Sequence, residues 1–300
     1  MRIDYDIPAI APYINWDYFY FAWGMHGKSD TDKRQLRHEG ELMLGRLAEH
    51  YRTHAVCELF GAYSDADDLV LTCRLWDEAG KMKRSSQEQL QDEPSVRIPF
   101  LRQQQAGSDF LCLADFIAPC GMSDDSGPVQ CPSHPAQTSA VAVFATTVDL
   151  GMETDFAHDS YQQMMAQLLA DRLAEATAER LHQEVRRTYW GYAPGEQLSM
   201  QQLHQERFQG IRPAVGYPSL PDTSINFVID RLIGMSAIGI RLTEHGAMKP
   251  HASVSGLMFA HPEARYFSVG PIGEDQLADY ARRRGLPAEV MRRFLIVHSA

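Results

Sequence analysis

The β-forming and helix-forming stretches of this chain come in bunches rather than in alternation, and that order constrains the fold more than any other feature. AVCELFGAY (Ala55 to Tyr63) and DLVLTCRLW (Asp68 to Trp76) are strand-like runs separated by the short polar turn SDAD, the pattern of an antiparallel hairpin. A helix over about Thr31 to Thr53 precedes them, with Leu36, Leu42, Leu44 and Leu47 near helical spacing and charges in the gaps. Two more apolar runs follow, FLCLADFIA (Phe110 to Ala118) and TSAVAVFATTV (Thr138 to Val148). Asp77 to Pro94 is polar and reads as a surface loop, and CGMSDDSGPVQCPSHPAQ, between the last two runs, is a Gly-, Pro-, Ser- and Asp-rich loop.

A long helix is then predicted from about Asp155 to Tyr189, with Met165, Leu168, Leu169, Leu173, Ala176 and Val185 on its apolar side. GYAPGEQ (Gly191 to Gln197) breaks it, and a capping box of Ser199 and Gln202 starts a short helix. The last third predicts a helix near Asn226 to Ile233, an apolar run from Ala252 to Ala260 and a strand from Arg265 to Pro271. A helix from Glu274 to Arg284 stops at Gly285, and Pro287 opens a final one. The aromatic segment Tyr13 to Trp23 packs on the body of the domain as a helix or an extended piece. Without strict alternation, the fold class is α+β with a largely antiparallel sheet, not a doubly wound one. There is no internal repeat, and the 300 residues read as a single domain.

Charge and composition exclude several functions. The formal net charge is −11, a surface that repels phosphate backbones, so nucleic acid is not an expected partner. No signal-peptide pattern opens the chain and no apolar stretch approaches the roughly 18 residues of a membrane span, which leaves the cytoplasm as the default and no membrane partner. Five scattered cysteines without a CxxC pair do not make a disulfide framework. Cys120, Cys131 and His134 are a conceivable zinc set, but idle thiols are the better reading and no metal site is expected. P-loop, GxGxxG, HExxH and GxSxG motifs are missing, which removes the common nucleotide hydrolases, Rossmann enzymes, zincins and serine hydrolases.

The most unusual segment is QGIRPAVGYPSLP, Gln209 to Pro221. Three prolines and two glycines in thirteen residues fix an extended, turning backbone. Such a loop aims its amides and carbonyls at a ligand with little entropy to lose, and Arg212 inside it suits a carboxylate. Tyr217 offers a flat face and a hydroxyl. The same composition also fits a connector whose arginine pairs with a surface acid. Glu175 lies seven residues after Leu168, nearly two helical turns, so it points toward a half-buried wall or is a solvated helix charge. Glu206 is a candidate groove acid or a helix-end acid. HPEARYFSV puts Tyr266 and Phe267 on opposite faces of the expected strand, one toward the core and one toward a cleft. The lone histidines, His251 and His261 among them, read as turn or core residues.

Together these segments resemble the activation domain of cobalamin-dependent methionine synthase. RPAVGYPSLPD (Arg212 to Asp222) is similar to that family's signature loop, and DRLAEATAERLHQEVRRTYWGYAP (Asp171 to Pro194) to its long helix and exit. CLADFIAP, KPHASVSG and HPEARYF follow the family order, and the resemblance spans about Ile14 to Arg293. It implies a curved α+β domain, a twisted antiparallel sheet flanked by long helices, that binds S-adenosylmethionine in a shallow groove. It also implies a partner, a cobalamin-carrying methionine synthase or another corrinoid protein, with flavodoxin or a related reductase as electron donor. The implied reaction is the reductive methylation of the partner's cob(II)alamin to methylcobalamin.

Carried over residue by residue, the resemblance gives Arg212 the ligand's carboxylate and the backbone at Ala214 its adenosine part. Tyr217 takes the catalytic position near the methyl-bearing end and the corrin. Glu175 and Glu206 match acidic groove positions, and Tyr266 and Phe267 an aromatic pair beside the ligand. Carboxylates and aromatic faces suit a ligand with sulfonium and ammonium charges. Two residues depart from the pattern. Asn15 stands where the family has Asp, a loss of charge assistance worth on the order of 1 kcal/mol, with Asp17 a candidate to compensate. Phe267 lacks the hydroxyl of the usual Tyr. The sequence holds no DxHxxG cobalamin motif and no homocysteine or folate module, so the expectation is a component acting in trans rather than a complete synthase. The other expectation is a non-catalytic module that docks on a corrinoid protein or senses S-adenosylmethionine.

Overall fold

The computed structural model describes residues 1–76, 95–105, 107–119 and 140–295. Its sheet is organised by one strand long enough to take three partners. β1 (Arg2–Asp6) pairs with the first residues of β2 (Arg52–Asp65), and β3 (Asp68–Arg74) pairs with its last residues. β4 (Val96–Pro99) extends the sheet beyond β3, while β5 (Ala140–Val148) runs along the other edge of β2 from Thr53 to Gly61. After a separate two-residue ribbon, β6 (Arg241–Leu242) with β7 (Met248–Lys249), β8 (Ser253–Met258) pairs with β5. Among the described residues every pairing between these strands is antiparallel.

The helices are α1 (Ile7–Ile10), α2 (Trp16–Ala22), α3 (Asp30–Ala48), α4 (Gly151–Thr154) and α5 (Ser160–Glu184), then α6 (Met200–His204), α7 (Ile225–Ile233), α8 (Glu274–Arg284) and α9 (Ala288–Phe294). Side chains alternate across a strand, and here each face finds its own cover. Ala55, Cys57, Leu59, Ala142 and Phe144 pack with Leu169, Leu173 and Leu181 of α5 and Leu44 and Leu47 of α3. Val56, Val141, Val143 and Leu257 pack with Val228 and Ile229 of α7. All nine residues of β5 are buried, which explains why its sequence is a continuous apolar run rather than an alternating one.

The predicted hairpin and the α+β class agree with this structure, but several boundaries differ. The predicted helix to Thr53 ends at Ala48, and Thr53 is instead a buried β2 residue facing α5. The long helix is a 25-residue α5 closed by a π-helical turn, Val185–Tyr189, and it starts late because Asp159 caps the amides of Tyr161 and Gln162. Phe110 to Ala118 is not a strand. Asp115 accepts the Cys112 amide and pairs with Arg102, which coils Leu113–Phe116 into a 3-10 turn. The predicted strand Arg265 to Pro271 joins no ladder: the Val269 amide donates to the Pro218 carbonyl, and the remaining anchoring is through side chains. The loops predicted at Asp77 to Pro94 and from Cys120 to Gln137, with the Cys120, Cys131 and His134 set, lie outside the described residues. Among the described residues no helix is long and apolar enough to cross a membrane, and no cluster of ligating side chains could hold a metal.

Two features of this frame position the site. α5 is fixed to the sheet through Thr146, whose hydroxyl donates to the Ala174 carbonyl at 3.0 Å, and through the Thr177 and Thr53 hydroxyls at 2.8 Å. The proline-rich loop, in turn, lies along the free edge of β8. Ile211 and Phe259 exchange backbone hydrogen bonds, Leu257 donates to the Pro213 carbonyl and Val215 to the Ser255 carbonyl. Gly256 makes this approach possible: a Cβ there would stand 2.2 Å from the Pro213 oxygen and 3.0 Å from the Ala214 Cα. Gly210, with φ +85°, has the same role at the loop's start, where a Cβ would meet the Phe259 oxygen at 2.2 Å. Farther on, buried Asp222 ties the loop's exit to the C-terminal helices by accepting from Tyr280 at 2.8 Å and pairing with Arg284 at 3.2 Å.

Gly256→Ala therefore pushes the loop off the sheet. The expected cost is about 1–3 kcal/mol, the usual range for overpacking, read as a lowered thermal midpoint.

Candidate functional site

The loop, α5, the start of α2 and the segment 266–268 enclose a groove of about 770 Å³. Its base is polar and half sealed. The Arg212 guanidinium donates from Nη2 to Glu179 Oε2 at 3.0 Å and from Nη1 to His182 Nδ1 at 3.0 Å. Arg212 and Glu179 side chains are only 16% and 12% exposed, so the pair is shielded yet still reachable from the groove. Burial alone would lower the Arg212 pKa, but Glu179, Tyr266 and Glu206 facing it more than offset that and hold it above its ordinary value. A buried cation of this kind requires such partners.

His182 is fully buried, and burial first, then Arg186 and Arg212, depress its pKa well below the ordinary value. It is therefore a neutral imidazole. Because arginine only donates, Nδ1 is the acceptor and the proton sits on Nε2, which reaches the Tyr192 hydroxyl at 3.3 Å. One turn further, Arg186 makes a two-pronged pair with Glu196 at 2.7 Å and lies 4.1 Å over the Phe208 ring, which fixes the helix exit 191–197. Glu175, Glu179 and His182 of α5 and Arg186 of the π-helical turn that closes it thus form one polar stripe at spacings of four, three and four, the repeat of a single helix face.

The mouth is aromatic and open. Tyr217 and Tyr18 are 54% and 59% exposed. Glu175 sits between them and the base, accepting from Arg172 at 2.8 Å and from the Tyr217 hydroxyl at 3.5 Å, while the Arg172 guanidinium lies 5.9 Å over the Tyr18 ring. Tyr266 turns its hydroxyl inward to accept the Arg212 amide at 2.9 Å, and burial raises its pKa. Phe267 packs across two apolar clusters behind it. Glu206 occupies the residue after the α6 cap in the left-handed region, φ +56°, a place that normally suits glycine. Burial there raises its pKa despite the opposing pull of Arg212.

All eight residues singled out from the sequence, Asn15, Glu175, Glu206, Arg212, Ala214, Tyr217, Tyr266 and Phe267, line this one groove. Asn15 does so with its oxygen committed to capping α2, accepting the Asp17 amide at 3.1 Å. Asp17 is in the first turn of that helix and is not among the lining residues. Tyr266 and Phe267 reach the groove from an irregular segment rather than from a strand. The sequence reading missed Glu179, Arg172, Tyr18 and the buried His182. The stripe spacing was the available signal: Glu179 is four residues from Glu175, and His182 three from Glu179.

Three carboxylates, Glu175, Glu179 and Glu206, face two guanidiniums, Arg172 and Arg212, within the groove. The fold and site define an α+β ligand-binding domain whose cleft carries a small excess of negative charge, aromatic walls and one buried arginine. The chain belongs to the family of vitamin B12 dependent methionine synthase activation domains, whose model matches residues 6–285. It is also similar to the crystal structure of the MetH reactivation domain bound to AdoHcy, with 32% sequence identity, a TM-score of 0.80, and coverage of 100% of this chain and 90% of that one.

The neutral state of His182 makes stability pH-dependent. Its folded pKa lies below the unfolded one, so below about pH 6.5 the unfolded chain binds more protons and stability falls as pH falls; above that value the contribution is fully present. His182→Gln, which can still accept from Arg212, is expected to flatten this acid-side loss in thermal melts taken between pH 7 and 5.

Proposed function

We propose that this chain binds S-adenosylmethionine in the groove and, as a single domain acting in trans in the cytoplasm, reactivates a cobalamin-carrying methionine synthase. Family membership and a 32%-identical relative whose structure contains AdoHcy support the ligand class. The observation that carries the reading is the buried Arg212, flanked by acids at the base of an open, aromatic-mouthed cleft. S-adenosylmethionine carries a carboxylate, an ammonium and a sulfonium, a net single positive charge, and the groove's third carboxylate is the matching excess.

The residues fit this ligand by position. Arg212 binds the carboxylate, the Ala214 backbone contacts the adenosine part, and Tyr266 and Phe267 flank it. Glu175 and Tyr217 lie toward the mouth, where an exposed aromatic and a carboxylate favour a sulfonium without enclosing its methyl group. That placement makes Tyr217 the residue nearest the transfer. When bound, S-adenosylmethionine would supply the methyl group, its S–CH3 bond breaking to leave S-adenosylhomocysteine, for the reductive methylation of the partner's cob(II)alamin to methylcobalamin, with the one electron coming from flavodoxin or a related reductase. An open mouth suits this task, because the acceptor is a second protein's corrinoid rather than a small molecule that diffuses into the cleft.

The test mixes the purified chain with a cognate methionine synthase in the cob(II)alamin state, S-adenosylmethionine and a reductant. Absorbance is expected to shift to that of methylcobalamin. Arg212→Ala should abolish the shift and weaken ligand binding on the order of 10- to 100-fold, the loss of ~1.5–3 kcal/mol from a charged hydrogen bond. Ligand binding with no spectral change, given a folded partner, would favour a docking or sensing module instead.

A further inference from the structure

Glu179 has one oxygen engaged and one idle. Oε2 accepts from Arg212, whereas Oε1 is buried and has no hydrogen-bond partner among the described residues. A buried carboxylate oxygen left unpaired is costly, and native structures rarely keep one without a use. Glu179 is a lining residue of the groove, and its idle oxygen belongs to the carboxylate paired with the guanidinium that the proposed function assigns to the ligand's carboxylate. Several neighbouring groups are already engaged. Asn15 Oδ1 caps α2, both oxygens of Glu175 serve Arg172 and Tyr217, and the Tyr13 hydroxyl donates to Gln183 at 2.7 Å.

An α-amino acid bears its carboxylate and its ammonium on the same carbon, so a receptor for it needs a cation and an anion side by side. We propose that Arg212 and Glu179 form that receptor: Arg212 takes the carboxylate, and the idle oxygen of Glu179 accepts a hydrogen bond from the α-ammonium. The inference rests on the reading of the groove as an S-adenosylmethionine site and goes further by giving the specificity to one unassigned residue. It makes the amino-acid tail the discriminating element, so nucleoside thioethers that lack the α-amino group are rejected even when they keep the carboxylate. Glu206, the other groove carboxylate that faces Arg212, is the natural comparison.

The experiment measures calorimetric binding of two ligands to the full chain, S-adenosylhomocysteine and its analogue without the α-amino group but with the carboxylate retained. The wild-type protein is expected to prefer the amino-bearing ligand by about tenfold or more. Glu179→Gln keeps the size and an acceptor for Arg212, and it should bring that preference to about threefold or less; the ratio of the two affinities is the readout, because losing the charge beside Arg212 acts on both ligands alike. Glu206→Gln should retain the preference. Equal weakening of both ligands in Glu179→Gln would overturn the inference, because Glu179 would then act only by holding Arg212. Loss of the preference in Glu206→Gln alone would also overturn it. A wild-type protein that binds both ligands equally overturns it without any variant and leaves the S-adenosyl reading intact. A wild-type protein that binds neither overturns that reading too.

Discussion

Arg212 is a cation taken largely out of water, and the arrangement around it is the set of conditions under which that can happen. Its side chain needs an anion, which Glu179 supplies, and a neutral acceptor, which His182 supplies because its own burial keeps it unprotonated. Its backbone must be held so that the guanidinium meets both, and Tyr266 and the β8 edge hold it. Breaking a buried pair by removing one partner strands the other, so each of these groups depends on the rest. The threonine contacts between α5 and the sheet belong to the same requirement, since a shift of α5 by a fraction of a turn would carry Glu179 and His182 away together.

The groove has a gradient. Its base is polar, narrow and shielded, and electrostatic interactions there are strong because little water screens them. Its mouth is aromatic and more than half exposed at Tyr18 and Tyr217. A ligand anchored at one end by charge and left open at the other suits transfer to a second macromolecule. Glu206 adds to this picture: it adopts a backbone conformation disfavoured for a side chain of its size, at the rim of the site, and such strain tends to be retained where a side chain must be aimed.

Much of this was legible from the residues. The bunching of strand-like runs gave the antiparallel α+β class because a hairpin needs only a short turn, whereas a parallel pair needs a crossover. The proline-rich loop stood out because proline restricts the backbone by itself, independent of tertiary context. The strand expected at Arg265 to Pro271 failed because alternation identifies an extended segment but not whether a partner's edge is free. Glu179 was missed for a related reason. An acid on a charged helix looks solvated until the fold shows that a loop 33 residues away has buried it, and the spacing of the polar stripe was the one local trace. The same holds for His182, whose burial comes from the packing of Phe208 and Tyr192 rather than from its neighbours in sequence.

The seating of residues 211–215 along β8 has a bearing beyond ligand recognition. The outer margin of a sheet is an open row of amides and carbonyls, a template on which a strand of another molecule can assemble. Here that row is occupied by a segment that proline keeps from being an efficient template itself, since Pro213 lacks an amide to offer. The stretch that lines the cleft thus also covers this margin of the sheet, and edge protection and recognition draw on the same few hydrogen bonds.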